Sequence, residues 1–278
     1  MEDIVKRALK EDLGKGDITT KCLVPSGMRA KAVIVSKEDG LLAGVGIAKQ
    51  VFSSLNKKIS FVAHKKDGQK IKKGDVIASL SGPASPILSG ERLALNFIQR
   101  LSGIATLTGK FVKLCAGTGA TILDTRKTTP NLRALEKFAV KMGGGTNHRM
   151  GLYDAVLIKD NHLVAEPDIK KAVSKARRTG KAVEVEVKTL PELKKALSAM
   201  PDRILLDNMS ASRIKKAVKM TKSHFKKTGK KVLLEASGGV NLKNIKKIAN
   251  AGVDFISVGA LTHSPKALDI SLEITKCR

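Results

Sequence analysis

Three short segments between Leu123 and His162 concentrate side chains that bind anions. They read Asp124-Thr-Arg-Lys-Thr-Thr-Pro130, Gly143-Gly-Gly-Thr-Asn-His-Arg149 and Leu157-Ile-Lys-Asp-Asn-His162. Glycine lets backbone N–H groups approach a ligand, and arginine offers paired donors to a carboxylate or phosphate. We interpret the segments as parts of a pocket for a multiply charged small anion, with solvated surface charge as the ordinary alternative. The fixed cations of the segments are Arg126, Lys127, Arg149 and Lys159.

A pair of acids, Glu184 and Glu186, alternates with valines. In a strand this spacing places both carboxylates on one face, roughly 7 Å apart. Such a pair suits a divalent metal, a Mg²⁺ bound to pyrophosphate, an acid–base role, or a structural ion pair with lysine. Asp207 ends the next predicted strand and would lie close to Glu186 in a barrel. This second acid favours the metal interpretation.

Two glycine-containing turns follow the last two predicted strands. They are Ser237-Gly238-Gly239 and Val258-Gly259-Ala260, and each precedes a predicted helix. Paired turns at this place in a barrel commonly bind a phosphate through backbone N–H groups. His263 is either a further donor to that phosphate or an ordinary surface histidine.

The elements that must position these residues alternate between strand and helix. Six β-rich runs and one weaker run near 138–142 are separated by amphipathic helical stretches, which predicts a parallel sheet, open or closed. About seven strands and no GxGxxG after the first favour a closed α/β barrel. The six runs are 121–124, 155–158, 183–187, 203–206, 232–234 and 254–258, and the helical stretches include 168–178, 191–199, 211–222 and 241–250.

The N-terminal third has a different pattern. Residues 1–22 look helical, extended runs follow between 30 and 80, and a helix is predicted from near Gly90. Residues 266–278 look like an amphipathic helix that could return to this first domain. We therefore expect an N-terminal domain over 1–103, joined by the helix 266–278, and a barrel over 104–265.

Composition limits the classes of protein. The chain has 278 residues, 42% of them hydrophobic, only 3% aromatic, three scattered cysteines and a formal net charge of +27. No apolar run approaches the ~20 residues of a membrane span, and the acidic start lacks a secretory pattern, so we expect a cytoplasmic protein. The charge is spread over helical faces without stacking aromatics, which argues against a specific nucleic-acid partner.

These motifs, taken in order, resemble the quinolinate phosphoribosyltransferase family over nearly the whole chain. The resemblance also includes Glu11–Thr20, Glu91–Thr106 and Leu206-Asp207-Asn208-Met209. It implies an N-terminal α/β sandwich domain and an open α/β TIM-like barrel. The implied reaction joins quinolinate to phosphoribosyl pyrophosphate (PRPP) and releases carbon dioxide and pyrophosphate, giving nicotinate mononucleotide for NAD biosynthesis. It needs Mg²⁺ and no organic cofactor.

The resemblance also implies residue roles. Arg126, His148, Arg149 and Lys159 would surround quinolinate, with Arg92 arriving from a neighbouring subunit of a homodimer or a hexamer. Thr125 and Lys127 would lie where the two substrates meet. Glu186 and Asp207 would hold the ribose hydroxyls and the metal. Lys127, Lys159, Glu186 and Asp207 would be catalytic, and the 5′-phosphate would bind Ser237, Gly238, Gly239, Val258, Gly259, Ala260 and His263.

Two alternatives compete with this interpretation. A paralogue of the same fold could take another ring acid, but such proteins lack the full Arg-Lys-Thr-Thr-Pro, Asn-His-Arg and Ile-Lys-Asp-Asn-His set. A nucleic-acid-binding protein could use the net charge, with steep salt dependence, but gives no reason for acids at strand ends. One departure from the family is Asn131, where glycine is usual, and asparagine tolerates left-handed backbone.

Overall fold

The computed structural model describes residues 2–278, so Met1, where the expected first domain begins, lies outside the described residues. The chain forms two compact units. One contains the residues up to Gly109 together with Pro130–Gly144 and Pro265–Arg278, and the other contains Lys110–Thr129 and Gly145–Ser264. The stretch Pro130–Gly144, which runs from the end of the first cation-rich segment to the start of the second, thus belongs to the first unit.

The first unit contains a four-stranded antiparallel sheet in the order β12-β1-β5-β3. Strand β1 pairs with β12 on one side and β5 on the other. These strands are β1 Arg29–Ser36, β3 Ser60–Ala63, β5 Val76–Pro83 and β12 Ile270–Cys277, and a two-stranded sheet adds β2 Gly40–Leu41 and β4 Lys70–Ile71.

The helix predicted over 266–278 is wrong, because this segment contains strand β12. Ile270 and Leu272 are buried on alternate positions, a period of two that is typical of a strand, but an apolar pattern this short does not by itself exclude a helix. β-Branched residues such as Ile274 and Thr275 favour the strand. The expected return of this segment to the first domain does occur, through pairing of β12 with β1.

Among residues 2–278, five helices begin in or belong to the first unit. The longest, α4, starts at Ala84, before the predicted Gly90, and accommodates Pro86 in its first turn, where a missing N–H is harmless. The weak strand expected near 138–142 is wrong, because these residues belong to α5, where Leu135, Ala139 and Val140 are buried on one side. The helices are α1 Glu2–Leu13, α2 Ile18–Leu23, α3 Val45–Leu55, α4 Ala84–Cys115 and α5 Arg133–Met142.

The second unit is an α/β barrel with a parallel sheet in the order β6-β11-β10-β9-β8-β7. Among the described residues it has six strands, one fewer than expected, because the seventh run is helical. The edge strands β6 and β7 are not paired with each other in this part of the chain, so the barrel is open. The strands are β6 Thr121–Leu123, β7 Val156–Ile158, β8 Val183–Val187, β9 Arg203–Asp207, β10 Leu233–Ser237 and β11 Phe255–Ser257.

Helices follow most of these strands, as the alternation predicted. They are α6 Asp160–Ala165, α7 Ile169–Arg177, α8 Leu190–Ala199, α9 Ala211–Thr228, α10 Ile245–Ala249 and α11 Ala260–His263. Side-chain caps fix several starts; for example, Ser210 Oγ accepts the N–H of Arg213. No helix within residues 2–278 combines the length and apolar character that crossing a bilayer requires.

Strand register decides which polar side chains share a face. Glu184 pairs with Arg203, and Glu186 with Leu205. Leu205 pairs in turn with Glu235, and Asp207 with Ser237. Because paired and alternate residues point the same way, the acids of three neighbouring strands lie on one face of the sheet.

Candidate active site

The carboxyl ends of β7, β8 and β9 bring three predicted residues to one edge of the sheet. Lys159 directly follows β7, and its Nζ lies 3.3 Å from Oε2 of Glu186. Asp207 ends β9, and its Oδ1 accepts a hydrogen bond from Nδ2 of Asn208 at 3.0 Å. Glu186 and Asp207 are both partly exposed, so their oxygens remain accessible to a ligand.

A second, more deeply buried charged cluster lies on the same face. His148 Nε2 is 3.1 Å from Oε2 of Glu184 and 3.5 Å from Oε1 of Glu235. Glu235, which is fully buried, also accepts hydrogen bonds from Arg203 at 2.7 Å and from Ser257 Oγ at 2.5 Å. The Arg203 guanidinium stacks 4.1 Å from the centre of the Phe255 ring. Four strands and one loop therefore meet in this cluster.

The environment changes the pKa values of all three ionisable partners. Burial lowers the pKa of His148, but hydrogen bonds and charge from Glu184 and Glu235 outweigh it and raise that pKa to about 9. Burial raises the pKa of Glu184 despite its contact with His148. For Glu235, burial opposes ionisation, but His148, Ser257 and Arg203 together lower its pKa. A proton on Nε2 between two carboxylates is thus strongly held.

The two ring nitrogens of His148 both have partners inside the protein. Its Nδ1 accepts the backbone N–H of Arg149 at 2.7 Å, while its own backbone N–H donates to Oδ1 of Asp124 at 2.9 Å. The contact with Arg149 disfavours a proton on Nδ1, whereas the carboxylates favour full protonation of the ring. Both observations agree on a proton on Nε2, and we assign it there.

Three groups of the cluster could in principle hold a metal ion. One ligand atom each from His148, Glu184 and Glu235 lie within 4.8 Å of one another. A metal would have to displace the Nε2 proton from a ring whose pKa is about 9, and metal-binding histidine must be deprotonated at the ligating nitrogen. The cluster therefore fits an ion-pair network better than a metal site, and it does not include the expected ligands Glu186 and Asp207.

Two guanidinium groups lie close together beside this cluster. Burial lowers the pKa of Arg149, and the charge of Arg126 lowers it further. Nη1 of Arg149 donates to the carbonyl of Ala155 at 3.0 Å, which fixes its direction. Neighbouring like charges are favourable only when an anion offsets them, as expected for a site that binds carboxylates or phosphate.

The turn after β10 contains two glycines in a backbone conformation that other residues rarely adopt. Gly238 has φ 92° and Gly239 has φ 62°, in the left-handed region that favours glycine. A Cβ at Gly238 would come within 2.2 Å of Oδ1 of Asn208. The N–H of Asn208 also donates to the carbonyl of Ser237 at 2.8 Å, so the turns after β9 and β10 are joined.

The turn after β11 approaches the segment after β6. A Cβ at Gly259 would lie 3.2 Å from both Nε2 of His263 and Cδ of Lys127. Thr262 Oγ1 donates to the carbonyl of Lys127 at 2.8 Å, and the N–H of Lys127 donates to Thr125 Oγ1 at 3.0 Å. The structure thus brings together Thr125, Lys127, Val258, Gly259, Ala260 and His263. His263 is exposed, with Nδ1 2.6 Å from Ser264 Oγ.

Arg92 lies on α4 in the first unit, and its side chain is exposed. Sequence reasoning missed Asp124, Arg203, Glu235 and Ser257 as members of the buried cluster. The available signal was an acid inside the apolar run Leu233-Leu-Glu-Ala236 and an arginine opening Arg203-Ile-Leu-Leu206. Such residues in a buried strand need a charged partner.

An open α/β barrel with cations, acids and glycine-containing turns at its strand ends suits an enzyme that acts on multiply anionic small molecules. Family models for the quinolinate phosphoribosyl transferase N-terminal and C-terminal domains match residues 17–102 and 104–273. The chain belongs to the quinolinate phosphoribosyltransferase family. It is accordingly a pentosyltransferase that transfers a phosphoribosyl group to quinolinate with decarboxylation, in NAD biosynthesis.

Similar proteins match this chain in sequence or in structure over almost its entire length. A probable nicotinate-nucleotide pyrophosphorylase (carboxylating) of Bacillus subtilis is 44% identical, over 99% of this chain and 93% of that protein. The chloroplastic Arabidopsis thaliana enzyme of that name is 42% identical, over 99% and 82%. The solved structure of the Francisella tularensis nicotinate-nucleotide pyrophosphorylase has a TM-score of 0.90 and 42% identity, over 98% of this chain and 95% of that chain.

Proposed function

We propose that the strand ends of the barrel divide the reaction between a quinolinate side and a phosphoribosyl side. The contact between Lys159 and Glu186 carries this proposal, because it places a fixed cation beside an acid where the two substrates would meet. Arg126, His148, Arg149 and Lys159 would surround the quinolinate carboxylates. Thr125 and Lys127 would lie where the two substrates meet. We also propose that the N-terminal domain covers residues 1–103 and the barrel domain residues 104–265.

On the phosphoribosyl side, Glu186 and Asp207 would hold the ribose hydroxyls. The closeness of Gly259, Lys127 and His263 supports a 5′-phosphate site formed with Ser237, Gly238 and Gly239. Loss of pyrophosphate leaves positive charge on the ribose, which the two carboxylates can stabilise. Lys159 would meanwhile hold the dianionic quinolinate with its ring nitrogen facing C1′.

The second half of the reaction follows from the first. Attack by the ring nitrogen on C1′ makes a positively charged pyridinium. The bond from ring carbon C2 to its carboxylate then breaks, carbon dioxide leaves, and the electron pair stays on C2 beside the positive nitrogen. A proton completes the nicotinate mononucleotide, so no organic electron sink is required.

Glu186 and Asp207 also fit the Mg²⁺ that we propose as the metal. Both are partly exposed carboxylates at neighbouring strand ends, and Mg²⁺ is commonly bound by one or two carboxylates together with substrate phosphates. When bound, it would offset the negative charge of the departing pyrophosphate.

The reaction is tested with quinolinate labelled in its 2-carboxylate. Release of labelled carbon dioxide should require both PRPP and Mg²⁺, and chelation of the metal should abolish it. Release without PRPP would exclude the coupling of decarboxylation to phosphoribosyl transfer. No release from a folded protein with saturating substrates would overturn the assignment of quinolinate, and nicotinate and related ring acids would then be screened.

We further propose a homodimer with shared active sites, or a hexamer that contains three such dimers, in which Arg92 reaches the quinolinate of the neighbouring subunit. Its exposed position on α4 and its membership of the first unit support this proposal. Arg92→Ala and Lys159→Ala should each be nearly inactive alone, and subunit exchange between them should restore activity. If no mixture recovers activity, Arg92 does not act across subunits.

A further inference from the structure

Glu184 and Glu235 have no part in the assignments above, although they are among the most buried acids of the barrel. We propose that both are positioning residues, which hold His148 and, through it, the backbone of Arg149 in the orientation that quinolinate binding needs. This inference rests on the proposed function, because Arg149 is taken there as a quinolinate ligand.

Contacts at both ring nitrogens and at the backbone N–H fix the position of His148. Its imidazole Nε2 is held by Glu184 and Glu235, while its Nδ1 accepts the N–H of Arg149. Its backbone N–H is held by the buried carboxylate of Asp124. The loop is therefore fixed through both the backbone and the side chain of one residue, immediately before Arg149.

The network around His148 is anchored on strands of the barrel. Glu184 lies on β8 and Glu235 on β10, and the two further partners of Glu235, Arg203 and Ser257, lie on β9 and β11. Rigid strands position functional side chains more accurately than loops do. The network thus fixes the position of the loop before Arg149 relative to four rigid strands. Without it, this loop would be held less firmly, because it contains three consecutive glycines, Gly143–Gly145.

One carboxylate oxygen of Glu184 lacks a hydrogen-bond partner within the described part of the chain. Its Oε1 is buried and has no hydrogen-bond partner among residues 2–278. An unsatisfied buried carboxylate oxygen opposes folding. Local conflicts of this kind occur mainly at functional sites. Glu184 is therefore poorly explained as a stabiliser of the fold.

A purely electrostatic role of Glu184 and a positioning role predict opposite effects on quinolinate binding. Glu184 lies close enough to Arg149 for their charges to interact. If Glu184 acted only through its field, removing its negative charge would strengthen the binding of a dianion. If it positions His148, removing its hydrogen-bonding oxygen weakens quinolinate binding instead.

The test compares Glu184→Leu, which removes charge and acceptor, with Glu184→Gln, which removes the charge and keeps an acceptor. We expect the quinolinate Kd to rise about 10-fold in Glu184→Leu, comparable to the loss of outer partners at metal sites, and to stay within about 3-fold in Glu184→Gln. The KM for PRPP should stay within about 2-fold of wild type. Glu166→Gln, which breaks the exposed pair with Lys175, is the matched control and should change neither value.

A double-mutant cycle separates positioning from direct action. His148→Phe should weaken quinolinate binding, and adding Glu184→Leu to it should have no further effect. The double variant removes both partners of the contact between His148 and Glu184, so neither is left buried without the other. It should therefore fold more readily than either single variant. Undiminished additivity, or tighter quinolinate binding in Glu184→Gln and Glu184→Leu, would overturn the inference.

Nitrogen-15 NMR of His148 gives a readout that does not depend on activity. In the wild type, Nε2 should carry a proton at neutral pH, and its signal should shift in Glu184→Leu but not in Glu166→Gln. An unprotonated Nε2 in the wild type would overturn the inference even if quinolinate is the substrate. Absence of labelled carbon dioxide release from the wild type would instead contradict the proposed function.

Discussion

Lys159 and Glu186 form the ion pair on which the proposed division of the active site rests. Lys159 is half exposed, whereas Glu186 retains only 12% of its side-chain accessibility, so the acid is the more constrained partner. A carboxylate held in place beside developing positive charge lowers the barrier without having to reorganise. A lysine held beside that acid can serve the neighbouring anion at the same time.

Glu186→Gln tests the role of that acid. We expect kcat to fall roughly 100-fold, because the carboxylate would stabilise charge that exists only in the transition state. The KM for quinolinate should change by less than about 3-fold. Steady-state kinetics with each substrate varied in turn measures both values, and Glu192→Gln on α8 serves as the control. Equal losses in kcat and quinolinate binding would place Glu186 on the quinolinate side instead.

At the scale of elements, the turns after the strands depend on unusual backbone conformations. Asn131, Met200 and Asn208 all have positive φ, and the value of 65° at Asn131 confirms that asparagine can replace glycine there. Asn208 matters most, because its side chain occupies the space beside Gly238. The turns after β9 and β10 are thus packed against each other at the proposed phosphate side.

Gly238→Ala should disrupt this packing. The new Cβ would meet Asn208 Oδ1 at 2.2 Å and require φ 92° of an alanine. We expect the KM for PRPP to rise about 10-fold, equivalent to about 1.4 kcal/mol. Gly239→Ala, whose Cβ would meet nothing within 4 Å, should be milder.

A second substitution checks the reason for that loss. Asn208→Gly removes the colliding side chain and suits the positive φ at position 208, so it should partly restore PRPP binding to Gly238→Ala. If the double variant binds no better, strain at Gly238 itself, and not the collision, explains the loss.

The start of α2 offers a prediction about stability and pH. Asp17 accepts hydrogen bonds from the N–H of Thr20 at 2.9 Å and from the hydroxyls of Thr20 and Ser89. The side-chain hydrogen bond from Thr20, followed by those of its backbone and of Ser89, lowers the pKa of Asp17. Asp17→Ala should reduce the free energy of unfolding by about 1 kcal/mol at pH 7, as loss of a helix N-cap does.

The sign of the pH effect follows from the lowered pKa. The stabilisation that ionised Asp17 adds is present above its unfolded pKa and is lost as pH falls through the folded value. Asp17→Asn should keep most of the cap but lack this pH dependence. Denaturation of the wild type and of Asp17→Asn between pH 3 and pH 7 measures how the free energy of unfolding of each depends on pH. If the two free energies change in parallel with pH, the ionisation of Asp17 is not linked to folding.

Most elements could be predicted from the sequence, because strands and helices bury residues with different periods. Val183–Val187 and Ala211–Thr228 are clear examples. The segment 266–278 could not be assigned by period alone, since its strand depends on pairing with the distant β1. Likewise the partner of Glu235 could not be predicted, because His148 comes from a loop far away in sequence.

At the scale of the whole molecule, the net charge of +27 is the property that single sites explain least. Exposed lysines and arginines cover α9 and α10, where the described residues between Asp207 and Asp254 include one acid, the buried Glu235. A field of this sign attracts anionic substrates from solution. It gives no preference between one anion and another.

Ionic strength should therefore affect capture of substrate more than chemistry. We expect kcat/KM for PRPP to fall several-fold between about 10 mM and 200 mM inert salt, because screening shortens the reach of surface charge. The kcat should stay nearly constant. A kcat that falls in parallel would show that salt acts inside the site, and no change in either value would exclude steering.

The pairing of β12 with β1 has a consequence for how the protein is made. Thr275 donates to the carbonyl of Lys31, which lies 244 residues earlier. During synthesis, β1 emerges from the ribosome long before this partner, and its edge stays unpaired while the whole barrel is translated. An unpaired strand edge invites association with other chains. The nascent protein is thus most exposed to aggregation in the interval that ends when residues 270–277 emerge.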